Sequence, residues 1–206
     1  MLKSLFFWCA AFSLPLFSAA EGELHLKQQA ALNLVSFPDT REGVTDLLYL
    51  SIDELWHKGE YSDVFAVFRV ITSVNPGDVE AWASGGWLLI NGIAPLFKEE
   101  RREEIVEYGI RFLKEGIEKN PDDSRLYREL AWFFFTRSLW DKSLEYLKKA
   151  EKGESDFKVG HLKAHVYMKK GMKREAIEEW EKVKELYPGS REVAERFIMQ
   201  LRQEGE

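Results

Sequence analysis

Cysteine is almost missing from this sequence. Its one copy, Cys9, lies inside the apolar run Leu5 to Phe17, so the rest of the chain has neither a disulfide framework nor a thiol nucleophile. There is no Gly-x-Ser-x-Gly turn to activate a serine and no glycine-rich phosphate loop. Gly85-Gly86 sits inside a helical pattern, where close helix packing accounts for it. Carboxylates are plentiful but follow solvated helix faces and single out no pair, so catalysis is not expected and no cofactor is implied. A basic face is also missing. The formal net charge is −6, and the longest basic run, Lys169-Lys170 with Lys173-Arg174, is flanked by Glu175, Glu178 and Glu179, as in a solvated turn. Nucleic-acid binding is therefore not expected. No Asn-x-Ser/Thr glycosylation acceptor occurs.

The chain opens with Met1-Leu2-Lys3, the apolar run with Pro15 in it, and Ser18-Ala19-Ala20 ahead of Glu21-Gly22-Glu23. These are the three parts of a secretory signal peptide with a cut after Ala20. The alternative is an uncleaved anchor, which needs about 20 apolar residues to span a bilayer. Cys9 lies upstream of the cut and so does not resemble the lipid-modified first residue of a bacterial lipoprotein. Cleavage would leave a cysteine-free exported chain held by its core alone, which fits a bacterial envelope better than an animal extracellular space. A secreted or periplasmic location is expected, with membrane contact only through the leader if it stays attached.

Helical periodicity dominates the chain beyond this leader. Glu23 to Ser36 carries Leu24, Leu26, Ala30, Ala31, Leu34 and Val35 and ends at Phe37-Pro38-Asp39, which predicts a leading helix. From Gly160 to Pro188 two amphipathic helices meet at Lys169-Lys170-Gly171-Met172. Small Ala164 and Ala176 stand where the two backbones approach, with Tyr167, Trp180 and Val183 filling around them. The spacing recurs upstream. Gly59, Val64, Phe68, Ile71 and Pro76 form a second copy, and 17 residues separate Gly59 from Pro76 just as they separate Gly171 from Pro188. A third, weaker copy, from Ser124, matches at Tyr127, Ala131, Ser143, Leu147 and Ala150, with Ser138 in place of the turn glycine and no closing proline. Another opens at Val79-Glu80-Ala81-Trp82 and ends at Gly109, Leu113, Gly116 and Pro121, where the closing proline arrives 11 residues late.

The pattern Ala164, Tyr167, Gly171, Ala176, Trp180, Val183, Pro188 resembles the tetratricopeptide repeat (TPR), whose period is about 34 residues. The resemblance implies an all-α, right-handed α-α superhelix of about four hairpins, at about 45–78, 79–123, 124–156 and 157–188. Residues 91–102 would be an insertion, broken from the first helix by Asn91-Gly92 and Pro95. Within it, Leu96 and Phe97 either fold back onto the repeat or form a second contact surface. A capping helix is expected over 190–203, with Ser190 as its N-cap and Val193, Ala194, Phe197, Ile198 and Leu201 as its apolar stripe.

The resemblance also implies a concave groove lined by the second, fifth, ninth and twelfth positions of each first helix. Those positions are Asp46, Tyr49, Asp53 and Trp56; Glu80, Ala83, Trp87 and Ile90; Arg125, Arg128, Trp132 and Phe135; and Lys158, His161, His165 and Met168. The groove is expected to be acidic at one end, aromatic in the middle and basic at the other, which suits a protein or peptide partner. Trp87 and Trp132 are either its central anchors or simply core. The asparagines of the family's carboxylate clamp are absent, because Asp53, Trp87, Trp132 and His165 hold those places. Arg125, Arg128 and Lys158 could still attract an acidic segment. His161 and His165, one helical turn apart, could share a metal ion, but a third ligand is not evident, so they read as groove histidines. The function expected is that of an exported adaptor or scaffold. The alternatives are a self-assembling envelope component that uses the terminal helix, and a metal- or small-molecule-binding protein that uses the His161 pair.

Overall fold

The structure, a computed structural model, describes residues 41–153 and 156–203. The expected signal peptide, leading helix and Pro38 stop lie outside the described residues. Two compact units are present, divided after Asn75. The first contains α1 (Arg41–Lys58) and α2 (Tyr61–Val74), a hairpin in which Val44 and Leu48 of α1 pack on Val70 and Val74 of α2.

Among the described residues the second unit contains seven α-helices. They are α3 (Val79–Trp87), α4 (Glu99–Lys119), α5 (Ser124–Thr136), α6 (Trp140–Ala150), α7 (Phe157–Lys169), α8 (Lys173–Leu186) and α9 (Arg191–Gln203). Helices pair as α3 with α4, α5 with α6 and α7 with α8, and α9 packs on α8. The first helices also touch in succession, α3 with α5 and α5 with α7, so they form one wall. Among the described residues there is no β-strand.

Each first helix of this unit starts on an aspartate. Asp78 accepts a hydrogen bond from the Ala81 amide at 2.9 Å, Asp123 from the Arg125 amide at 2.8 Å, and Asp156 from the Lys158 amide at 2.9 Å. These side chains satisfy amides that have no partner inside the helix. The hairpin turns are equally regular. The Gly59 amide donates to the Trp56 carbonyl and the Glu60 amide to Leu55, Ser138 to Phe135 and Leu139 to Phe134, and Gly171 to Met168 and Met172 to Tyr167, all at 2.9–3.0 Å. This is the double closure of a Schellman motif, which needs a left-handed residue just past the helix. Gly59 (φ 75°), Ser138 (φ 58°) and Gly171 (φ 69°) occupy that place, so the serine keeps the turn at a conformational cost that glycine avoids.

Close packing follows the small residues. Ala131, Ala164 and Ala176 are fully buried, and the Ser143 hydroxyl donates to the Ala131 carbonyl across the α5–α6 contact at 2.9 Å. A Cβ on Gly116 would lie 2.8 Å from Trp82 Cβ, and one on Gly160 2.8 Å from Val183 Cγ2. Two apolar clusters run through the stack. Ala131, Leu144, Leu147, Ala150, Val159, Leu162 and Val166 tie α5 and α6 to α7, while Ala164, Ala176, Trp180, Val183, Ala194, Ile198 and Leu201 tie α7 and α8 to α9. One ion pair is enclosed between α7 and α8: Lys163 is 7% exposed and meets Glu179 at 3.2 Å and Glu151. Burial disfavours the Lys163 ammonium, but the two carboxylates outweigh it and raise its pKa.

The insertion differs from the expected broken loop. Asn91-Gly92 does not end the first helix; the chain widens into a π-helical turn, Leu88–Ile93, and then tightens into a 3-10 turn, Ala94–Leu96. Ile93 and Ala94 are buried, so tertiary packing holds the backbone coiled where local propensity would release it. The remaining inserted residues lengthen α4 at its start. Leu96 does not fold back: it stays 56% exposed, while Phe97 is half-buried.

Candidate functional site

The wall of first helices carries a cleft of about 350 Å³, lined by Trp87 from α3, Arg128, Glu129, Trp132 and Phe135 from α5, and Phe157, Lys158, His161, Leu162 and His165 from α7. Trp87, Trp132 and His165 hold the same position in their respective helices, and side-by-side packing brings these equivalent positions onto one surface. Three large aromatics remain open to solvent there, Trp87 at 48% and Trp132 and Phe157 at 43% each, so none of them serves as core. Trp132 stacks on Phe135, with ring centres 5.5 Å apart and planes at 22°, and Phe135 meets the edge of Trp140 at 5.2 Å. These ring contacts hold the rim in place at little entropic cost.

The histidines rest on a second aromatic layer. Trp180 of α8 meets His161 at 5.0 Å and His165 at 5.1 Å, both edge-on, and stacks at 4.8 Å on Phe197 of α9, which also touches His165. Burial lowers the pKa of His161, and burial aided by His161 and Lys169 lowers that of His165. Both imidazoles are therefore neutral at pH 7. His161 Nε2 is enclosed and has no hydrogen-bond partner among the described residues. No group of three or more His, Cys, Asp and Glu side chains fit to hold a metal ion occurs among those residues.

The charges differ from the expected gradient. Arg125 is paired with Glu80 and does not line the cleft. Arg128 is paired with Asp156 and, at 3.1 Å, with Glu129, and its side chain is largely covered. Lys158 Nζ lies 6.0 Å from the Phe157 ring centre and has no carboxylate partner among the described residues. The basic end is thus mostly neutralised from within. Ala83 and Ile90 are buried, and Met168 accepts a hydrogen bond through its sulfur from Trp180 Nε1 at 3.4 Å, so these three belong to the packing.

Tyr49, Asp53 and Trp56 lie in the first unit, while the cleft lining comes from the second alone. Tyr49 meets the edge of Phe68 at 6.4 Å, Trp56 that of Tyr61 at 5.0 Å, and Asp53 faces His57 at 3.5 Å. Phe157, Glu129 and Leu162 line the cleft without having been expected there. For Phe157 the sequence carried a usable sign: Phe157, His161 and His165 succeed one another at i, i+4 and i+8, which is a single helical stripe.

Solved structures with the same arrangement are TPR proteins. A thermophilic TPR protein from Thermus thermophilus superposes with a TM-score of 0.60 at 18% identity, over 89% of this chain and 93% of that one. The MamA protein does so with a TM-score of 0.56 at 18% identity, over 77% and 81%. The chain has the tetratricopeptide-repeat fold. A MamA fragment from Desulfovibrio magneticus gives a TM-score of 0.51 at 18% identity, over 84% and 98%. No protein-family model matches the sequence, and no curated protein matches it either. At such identities the shared property is the TPR fold itself, and the cleft must be judged on its own residues.

Proposed function

We propose that this TPR protein is an interaction scaffold that captures a segment of another protein in the cleft between α3, α5 and α7, by recognition without chemistry. The observation that carries this reading is the exposure of Trp87 and Trp132 on one surface. Large aromatics left half in water beside a concave site are the residues that dominate protein interfaces when covered. We further propose that the chain is exported, on the pattern of residues 1–20. Among the described residues no helix is long and apolar enough to cross a membrane.

The test is affinity capture from envelope extract with tagged wild type, Trp87→Ala and Trp132→Ala, read by mass spectrometry, with circular dichroism as the folding control. Each substitution should weaken retention of the same partner by about tenfold or more, as loss of an aromatic anchor does, while helical content stays unchanged. Undiminished capture by both variants would remove the cleft from the interaction. The intact mass of the mature protein reports cleavage after Ala20. The outer face of α9 carries exposed Glu192, Glu195, Arg196 and Gln203, a polar cover of the kind that ends a solenoid.

A further inference from the structure

The chemistry of the occupant follows from what the cleft has already neutralised. Arg128 is held by Asp156 and Glu129, and Asp156 also caps α7 through the Lys158 amide. An acidic ligand that competed for Arg128 would have to displace a carboxylate that also secures a helix start. Counting Arg128 and Lys158 against Glu129 and Asp156, the formal charges around the cleft cancel. His161 and His165 are neutral, held so by burial against Trp180. Apart from Lys158, the exposed lining is aromatic: Trp87, Trp132 and Phe157, the last 43% exposed.

Resting on the reading of the cleft as a peptide site, we infer that it selects an uncharged segment carrying an aromatic or large aliphatic side chain, and not an acidic tail. Such a side chain enters the space between Trp132 and Phe157 and desolvates both rings. Apart from Lys158, the charges in the lining already hold partners among the cleft's own residues, Arg128 with Glu129 and Asp156, so excluding water there carries no large desolvation cost. Lys158 stays at the rim, where a single exposed cation contributes little.

Selection of random peptides displayed on phage against the full-length protein tests this, followed by fluorescence anisotropy of the enriched peptides. Wild type is compared with Trp132→Ala, Phe157→Ala and Lys158→Glu. The expected enrichment is in Trp, Phe, Leu and Met with depletion of Asp and Glu. Affinity should fall about tenfold or more in Trp132→Ala and Phe157→Ala, and stay within about twofold both in Lys158→Glu and between about 0.1 and 0.5 M salt. Enrichment of acidic peptides whose affinity falls with salt and in Lys158→Glu would overturn the inference and leave the peptide site standing, as would enrichment of basic peptides. If no enriched peptide depends on Trp132 or Phe157, both the inference and the peptide site fail. Both rings are nearly half exposed, so their truncation leaves the core intact, and circular dichroism of each variant verifies it.

Discussion

Replacing Ser138 by glycine should stabilise the protein. Ser138 sits at φ 58° in the same turn as Gly59 and Gly171, and a non-glycine residue in that region costs roughly 1–2 kcal/mol. Glycine brings its own penalty, because it loosens the unfolded chain by about 0.4–1 kcal/mol. The difference leaves about 1 kcal/mol in favour of Ser138→Gly, or about 2–4 °C in Tm for a chain of this size. The reverse change, Gly171→Ser, is a clean counterpart: a Cβ at Gly171 meets nothing within 4 Å, so its cost is conformational and should be of similar size and opposite sign. Ser138→Ala keeps the left-handed strain while removing the hydroxyl, and should stay close to wild type. Urea unfolding followed by circular dichroism measures all three. A neutral Ser138→Gly together with a neutral Gly171→Ser would refute the strain argument. A Ser138→Ala variant as stable as Ser138→Gly would assign the effect to the hydroxyl instead.

Gly116→Ala should destabilise by about 1–3 kcal/mol, as overpacking does, because the added Cβ lies 2.8 Å from Trp82 and Trp82 is fully buried; a urea midpoint equal to wild type would show that α3 and α4 have room to separate. Stability should also fall on mild acidification. His161 and His165 have depressed pKa values in the folded state, so the unfolded chain binds protons more readily. Their contribution is complete above the unfolded value of about 6.5 and is lost as pH drops below it. The fall in Tm between about pH 7.5 and 5.5 should be smaller in the double variant His161→Phe, His165→Phe, and an equal fall would place the titration elsewhere.

The repeat was legible in the sequence because it is a local rule applied several times over. A turn residue past the first helix, small residues where backbones cross and a closing proline are each demanded by one hairpin on its own, and enough of them recur at matching offsets to keep the register through the copies that lack one. Even the departure at Ser138 could be seen, since the register around it survives. The cleft was legible in part: equivalent positions in packed hairpins share a wall, which brings Trp87, Trp132 and His165 together. The charges were not legible. Whether Arg125 and Arg128 face a ligand or a carboxylate of this same chain depends on Glu80 and Asp156, which lie 45 and 28 residues away and come close only through stacking. The path of the insertion was hidden for the same reason: Asn91-Gly92 and Pro95 break an isolated helix, but Ile93 and Ala94 are buried, and the packed unit keeps the backbone wound through the breakers. Local spacing along the chain thus determined which helices pair. Only the packed structure decided which side chains remain free to bind, because freedom is a matter of what distant residues have already neutralised or covered.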